Sequence, residues 1–201
     1  MEVYHIPHFG ASVHTALFHN VSNAAALRSR LVTASTMQGE EGVMERGAVN
    51  FAFIDARLIT SKRVLEIAIQ QALLADERGQ LRTKYIHSEI LWLLNPGNNI
   101  SEAIRRFGVA DASTSLIVVR VFKSDSTEPT QETDKVLASM QKVLEGKLGS
   151  LDTLPTDWAT IKKIYKLGSD TALRKTKSEE EEHVLVDRIV ANMVAIKPVA
   201  G

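Results

Sequence analysis

Side chains alternate in character along the N-terminal part of the chain, over residues 3–8 and again over 13–18. A period of two is typical of a β-strand, because successive side chains point to opposite faces of a sheet. Gly10 lies between the two stretches and suits a tight turn. The pattern therefore predicts a pair of strands joined by a short turn.

Farther along, apolar residues recur at steps of three and four, which is the spacing of one helix face. Residues that can accept hydrogen bonds from the free backbone N–H groups of a first turn precede several of these stretches. The predicted helices begin after Asn23, Ser61, Asn99, Pro155 and Ser178, and a further helix contains Val136 and Met140. Gly79 and Gly108 are expected to end the second and the third.

Short apolar runs at 51–59, 90–94 and 116–122 are rich in branched residues and predict strands buried on both faces. The last two runs flank the helix after Asn99, so we expect a strand, helix, strand unit there. Strands and helices thus alternate along the chain, which favours a mixed α/β fold. We expect a single domain over 1–201, with a central, mostly antiparallel or mixed sheet flanked by helices.

Three stretches lack a sustained period of either kind. They are polar, charged or rich in glycine, and they lie at 35–50, 123–134 and 168–182. Such composition between periodic segments is typical of loops. We therefore predict mobile loops at these positions.

The composition is that of an ordinary globular protein, since 44% of the 201 residues are hydrophobic and 24% are charged. Lys plus Arg and Asp plus Glu both number 24, so contact with nucleic acid would require a local basic patch. The sequence has no cysteine, no apolar run long enough to span a membrane, and no signal-peptide pattern. We expect a soluble intracellular protein.

No motif in the sequence indicates catalysis or cofactor binding. Several of the 6 histidines lie near the N-terminus, but their spacing matches no metal motif, and the alternative is a partly exposed sheet face. Neither a dinucleotide fingerprint nor a phosphate-binding loop occurs. Ser139 and Lys142 have the spacing of some serine hydrolases, but they are expected on the outer face of a helix. We predict no catalytic residue, no metal site and no cofactor.

Basic residues are the more informative signal. Arg82 and Lys84 precede the apolar run at 90–94, and Arg105 and Arg106 lie in the helix that follows LLNPGNN. Arg and Lys contact phosphates, and the N–H groups at a helix start add a site for an anion. These residues form a candidate RNA contact, and the alternative is a solvated surface.

Longer strings of residues resemble a known family. The first string is RTK, SEI, LNP, NNISEA and RFG, in that order, over residues 82–108, and the second is IKKIYKL over 161–167. Weaker matches near the N-terminus keep the same order, so the resemblance covers nearly the whole chain. The chain resembles the PRPK-binding protein (TPRKB) family, which is the small subunit of the KEOPS (EKC) complex. It differs from that family in longer loops at 35–50 and 168–182.

The resemblance implies a non-catalytic subunit of a complex that makes the threonylcarbamoyl modification of adenosine next to the anticodon. The tRNAs concerned read codons beginning with A. The resemblance also implies binding to the PRPK-type kinase or ATPase subunit, indirect contact with the other subunits, and recognition of the single-stranded CCA end of tRNA. It implies a location in the cytoplasm and nucleus, without membrane contact.

Under this hypothesis, residues can be assigned to each partner. A single-stranded end is held by stacking and by basic residues that follow the phosphates. The tRNA-binding candidates are Arg82, Lys84, Asn98, Asn99, Arg105 and Arg106. A helix with an apolar stripe is a usual donor at a protein interface. The kinase-interface candidates are Ile161, Ile164, Tyr165, Leu185, Ile189 and Met193.

Alternatives stay open at this point. The apolar stripes of the last two predicted helices are equally consistent with burial in the core of the chain itself. A stand-alone enzyme would turn over a substrate without partners. A protein-interaction module that regulates a kinase would bind the kinase but not tRNA.

Overall fold

The computed structural model describes residues 1–123 and 133–200. The chain forms two compact units, each made of two separate stretches of sequence. Unit 1 contains Met1–Asp55 and Gly108–Leu151, and unit 2 contains Ala56–Phe107 and Asp152–Gly201. That the two units form one domain stays a prediction.

The described residues form strands and helices in a mixed order. The strands are β1 (Glu2–Ile6), β2 (Ala11–His19), β3 (Ala52–Asp55), β4 (Ser115–Lys123) and β5 (Lys147–Gly149). The helices are α1 (Ala24–Thr36), α2 (Gly39–Ala48), α3 (Lys62–Glu77), α4 (Ile86–Leu94), α5 (Ile100–Phe107), α6 (Thr133–Val143), α7 (Trp158–Ile164) and α8 (Glu179–Ala200). None of the described helices combines the length and the apolar character needed to cross a membrane. The predicted mixed α/β class is confirmed.

Unit 1 contains all five strands in one antiparallel sheet of order β1-β2-β4-β3, with β5 paired to β2 beyond the end of β1. The two central strands, β2 and β4, pair along their whole length, from Ala11 opposite Lys123 to His19 opposite Ser115. Nearly every residue of both strands is buried, which matches the predicted run without alternation at 116–122. One face of the sheet packs with α1 and α6 around Phe18, and this cluster is the core of unit 1.

Unit 2 consists of helices. Helix α3 packs against α4 and α8, and α4 packs against α5. The apolar face of α3 is the one predicted from its spacing, with Leu65, Ile69 and Leu73 fully buried. In α4 every residue of the run 90–94 is buried, and α8 contributes a buried side chain at each of several successive turns, at Val186, Val190 and Val194.

The polar residues that precede several helices act as predicted. The side chains of Ser61, Asn99 and Ser178 accept hydrogen bonds from the backbone N–H three residues later, at 3.3, 2.9 and 3.2 Å. Asn23 precedes α1 as expected, but its side chain is not a cap. It bonds instead to the backbone of residues 143–145, at 3.1 and 3.0 Å.

Two predictions of local structure are wrong. The run 90–94 belongs to helix α4 and not to a strand. The order of elements along this part of the chain is therefore helix, helix, strand, and not the predicted strand, helix, strand. A short apolar run buried on all sides has the same pattern in either structure, and only the packing decides between them. The predicted loop at 35–50 contains helix α2, whose Arg46 guanidinium bonds to the backbone carbonyls of Ala34 and Met37.

The other predicted loops have a mixed outcome. In the stretch 123–134, Lys123 ends β4 and residues 133–134 begin α6, while the remainder lies outside the described residues. The stretch 168–182 contains short 3₁₀ turns, and it also includes the first turn of α8.

Candidate functional site

The connection between α4 and α5, residues 95–99, is the centre of the candidate site in unit 2. Asn95 is fully buried, and its side-chain amide donates to the carbonyl of Gly97 at 2.9 Å. Its amide oxygen accepts a hydrogen bond from the Arg106 guanidinium of α5, also at 2.9 Å. A buried amide satisfied on both ends holds the chain in one conformation. We call residues 95–99 the α4–α5 loop.

A buried cation lies under this loop. Lys197 of α8 is 6% exposed, and its ammonium donates to the carbonyls of Trp92, Asn95 and Gly97. The same ammonium lies 3.9 Å from the centroid of the Trp92 ring. Burial lowers the pKa of Lys197 to about 8, while the negative charge of Glu89 opposes this shift.

The segment before α4 is held by a second buried charge. Glu89 is 1% exposed, and its carboxylate accepts hydrogen bonds from the backbone N–H and the hydroxyl of Thr83, both at 2.8 Å. The buried Glu89 carboxylate thus holds Thr83 in place. The neighbours of Thr83, which are Arg82, Lys84 and Tyr85, are exposed. The Lys84 ammonium lies 5.2 Å from the centroid of the Tyr85 ring. The local result is one cation, Lys84, beside an exposed aromatic ring, with the exposed Arg82 two residues earlier.

Arg82 also lines a cavity of about 450 Å³ between α3, α4 and the end of α8. Polar and apolar groups meet in its wall. The lining residues include the cations Arg78 and Arg82, the carboxylate of Glu89, and Gln71, Gln80 and Trp92. Sequence reasoning missed Arg78, which directly follows α3 and lies four residues before the first matching string, outside it. We call this the basic cavity.

The cations of α5 have different surroundings. Arg105 is exposed, whereas Arg106 is partly buried and pairs with Glu102 at 2.5 Å in addition to its bond to Asn95. Arg106 therefore fixes the α4–α5 loop and has little freedom to follow a phosphate. Asn98 and Asn99 are exposed, but the Asn99 side chain is the cap of α5.

The kinase-interface candidates separate into buried and accessible residues. Ile161 is fully buried, and Tyr165 is buried with its hydroxyl bonded to the Leu94 carbonyl at 2.5 Å. Burial raises the pKa of Tyr165, and the positive charge of Arg106 opposes this. Both side chains belong to the core of unit 2, which favours the core role that the sequence left open. The pattern could not reveal this, because a core face and an interface face have the same spacing.

The remaining candidates lie along one side of α8 or beside it. Leu185, Ile189 and Met193 are partly buried at steps of four, and Ile164 of α7 is partly buried as well. Ile196 continues this line and is 54% exposed. We call Leu185, Ile189, Met193 and Ile196 the α8 stripe. Its C-terminal end borders a small groove that Asn98 also lines.

Groups of acidic and imidazole side chains with the geometry of a metal site do not occur among the described residues. Comparison with known proteins now decides the family. The sequence model of a protein family described as kinase binding protein CGI-121 matches residues 18–198. The chain belongs to this family. The resemblance to the TPRKB family found in the sequence is thereby confirmed, and both matching strings lie inside the matched residues.

Full-length relatives support the same assignment. A protein of Cryptococcus neoformans named EKC/KEOPS complex subunit CGI121 is 35% identical over 229 aligned residues, which cover 95% of this chain and 98% of that protein. A protein of the same name from Aspergillus fumigatus is 33% identical, over 84% of this chain and 85% of that protein. Another, from Gibberella zeae, is 29% identical over 99% of both chains.

The structure brings some of the predicted tRNA-binding residues together and separates others. Arg82 lines the basic cavity, Lys84 is exposed two residues farther along, and Arg105 lies on the exposed side of α5. The tRNA-binding and kinase-interface assignments of the exposed residues stay predictions.

Proposed function

We propose that this chain is a non-catalytic subunit of a KEOPS/EKC complex that binds the PRPK-type kinase subunit and tRNA. Membership of a kinase-binding family supports the first partner. Relatives that match nearly the whole chain are named as subunits of the EKC/KEOPS complex, which supports the assembly. Other subunits would then supply the chemistry of the modification, and contact with them would be indirect.

The basic cavity is the observation that carries the proposed tRNA contact. Its volume of about 450 Å³ lies within the range of small-ligand pockets, about 300–1,000 Å³. Arg78 and Arg82 supply positive charge for phosphates, and the amides of Gln71 and Gln80 supply donors and acceptors for base edges. A base in a paired stem cannot enter such a cavity. We therefore propose that it receives the single-stranded CCA end.

The proposed kinase contact uses the α8 stripe together with Ile164. Partly exposed apolar side chains on a helix bury further area when a partner covers them, at about 25 cal/mol per Å². The well-packed residues Ile161 and Tyr165 hold α7 in place and do not contact the partner.

A binding experiment tests the tRNA contact. The affinity of the full chain for a tRNA that reads codons beginning with A is measured with and without the CCA end, over a range of salt concentrations. Replacement of Arg78 and Arg82 by Ala should weaken binding and reduce the salt slope by about 0.7 for each single-strand phosphate that the variant no longer neutralises. Removal of the CCA end should then cost the variant little further affinity.

The matched control replaces Arg63 and Arg188, which are exposed cations of unit 2 away from the cavity. This control should keep the loss on CCA removal that the parent chain shows. Equal losses on CCA removal in the parent and in the cavity variant would place the end elsewhere. A folded parent chain that binds the kinase subunit but no tRNA, alone or in the complex, would favour a protein-interaction module.

A further inference from the structure

Lys197 lies in the C-terminal part of α8, about one hundred residues from the loop that it contacts, since its partner Gly97 is 100 positions away. Long charged side chains are rarely buried without partners. Here the ammonium donates to three backbone carbonyls, those of Trp92, Asn95 and Gly97, and lies against the Trp92 ring. We call this arrangement the Lys197 cluster.

The three carbonyls match the chemistry of the ammonium. An ammonium has three N–H donors and no acceptor, so three carbonyls use all of its hydrogen bonds. The last carbonyls of a helix lack partners within the helix, and a cation there also interacts favourably with the helix dipole. Lys197 therefore supplies a cation to carbonyls at the end of α4.

The Lys197 cluster is joined to the exposed part of the α4–α5 loop. The Trp92 indole N–H donates to the carbonyl of Asn98 at 3.2 Å, so the ring that contacts the ammonium also holds the next turn of chain. Trp92 and Pro198, the residue after Lys197, both line the basic cavity. A change at Lys197 is thus transmitted to the wall of the cavity through contacts that the structure shows.

We propose that Lys197 is a positioning residue for the RNA contact, whose buried ammonium fixes the α4–α5 loop and the Trp92 wall of the basic cavity without touching RNA. This inference rests on the proposed function, because it assigns the loop and the cavity to tRNA. It goes beyond that function by assigning a role to a buried side chain at the end of α8, outside the surface cations.

Titration of Lys197 distinguishes a role of its charge from a role in packing alone. If the side chain acted only by packing, its loss of a proton would not change tRNA affinity. Its depressed pKa, about 8, places the titration within reach of ordinary buffers. The charged or titratable groups from the surrounding helices are Glu89 of α4, Arg106 of α5, the Tyr165 hydroxyl after α7 and Arg78 after α3. Loss of the proton removes one N–H donor and the charge over the Trp92 ring.

The first experiment compares tRNA affinities at pH 7 and pH 9 and at constant ionic strength. Lys197→Met keeps most of the length of the side chain but removes the charge, and it should weaken binding about tenfold at pH 7, because the loop and the Trp92 wall are no longer held in the binding conformation. The parent chain should lose affinity between pH 7 and pH 9, and Lys197→Met should lose much less. The matched control Arg188→Met removes an exposed cation of the same helix and should retain the pH dependence of the parent.

The second experiment reports the Lys197 cluster without RNA. The chain has 2 tryptophans, so Trp158→Phe leaves Trp92 as the emitter. In this background the Trp92 fluorescence should titrate near pH 8, and Lys197→Met should abolish the titration. The pH titration is also measured with Lys197 in place. The test therefore remains valid even if the Lys197→Met variant folds poorly.

The outcomes separate this inference from the proposed function. A fluorescence titration near pH 8 with an unchanged tRNA affinity would overturn the positioning role and leave the tRNA contact standing. A folded Lys197→Met variant with parental tRNA affinity would overturn the positioning role, whatever the pH dependence of the fluorescence. A parent chain without tRNA affinity at any pH would overturn the proposed tRNA contact and the positioning role with it.

Discussion

At the scale of single residues, Tyr165 shows how one hydroxyl changes the interpretation of a motif. It belongs to the string IKKIYKL, and its apolar spacing suits an interface as well as a core. The ring is buried, and the hydroxyl donates to the Leu94 carbonyl at the end of α4. The side chain thus connects the segment after α7 to α4 within unit 2.

Replacement of Tyr165 by Phe should lower the free energy of unfolding by about 1–3 kcal/mol, because the Leu94 carbonyl is left buried without its donor. Kinase-subunit affinity of the folded variant should not change. Urea unfolding and a binding titration measure the two effects. A variant with parental stability and weakened kinase binding would show that Tyr165 contacts the partner.

His14 gives a second residue-scale prediction, for unit 1. It is 2% exposed, and within the described residues neither ring nitrogen has a hydrogen-bond partner. Burial lowers the pKa of His14 below 6.5, and His5 adds to this shift. The unfolded chain therefore binds a proton at a higher pH than the folded chain. The contribution of His14 to stability is complete above pH 6.5 and is lost as the pH falls through the folded pKa.

Replacement of His14 by Phe should reduce the loss of stability between pH 7 and pH 5. Urea unfolding at both pH values measures it, and His8→Phe, which changes an exposed histidine, is the matched control. An identical pH dependence in the parent and in His14→Phe would mean that other groups cause the acid sensitivity.

At the scale of elements, the glycines of α2 made this stretch resemble a loop in the sequence, but two of them have different roles in the helix. A Cβ atom on the buried Gly42 would lie 2.5 Å from the carbonyl oxygen of Met37, so only glycine permits this approach. Gly47 has no neighbour within 4 Å of the equivalent position. The first glycine is required by packing, whereas the second is not.

Gly42→Ala should therefore destabilise the chain by about 1–3 kcal/mol through the backbone clash. Gly47→Ala in the same helix should stabilise it by about 0.4–1 kcal/mol, because Ala loses less conformational entropy on folding. Urea unfolding of both variants measures the difference. Stabilisation by both substitutions would contradict the close packing of α2 on the preceding turn.

The α8 stripe carries the element-scale prediction for function. Ile196→Asp should weaken binding of the kinase subunit by tenfold or more, because a charge buried in an apolar contact is left without a partner. Val184→Asp is the matched control, since Val184 is also exposed on α8, at 68%, but lies off the stripe. The two variants are compared by calorimetric titration after unfolding curves establish that both are folded. Equal losses of affinity would assign the contact to α8 without distinguishing its faces, and no loss in either would place the contact elsewhere.

At the scale of the whole molecule, the two units differ in how well local patterns determine them. Strands β1 to β4 of unit 1 could be predicted from runs of apolar and branched residues, of which β4 is the clearest, whereas the short exposed β5 could not. The caps at Ser61, Asn99 and Ser178 were predictable because a cap acts within one turn of its own helix. Helix α4 was not, since complete burial removes the periodicity that distinguishes a helix from a strand.

By itself, the sequence determined the fold class, most of the elements and the family, because each depends on local spacing or on strings of adjacent residues. Only the tertiary structure decided which side chains meet across long separations. Lys197 reaches the carbonyl of Gly97, and Arg82 lines one cavity together with Pro198. It also decided that Tyr165 is in the core. The physical reason is that burial and hydrogen bonding depend on distance in space, and no periodicity along the chain records the neighbours that packing brings together.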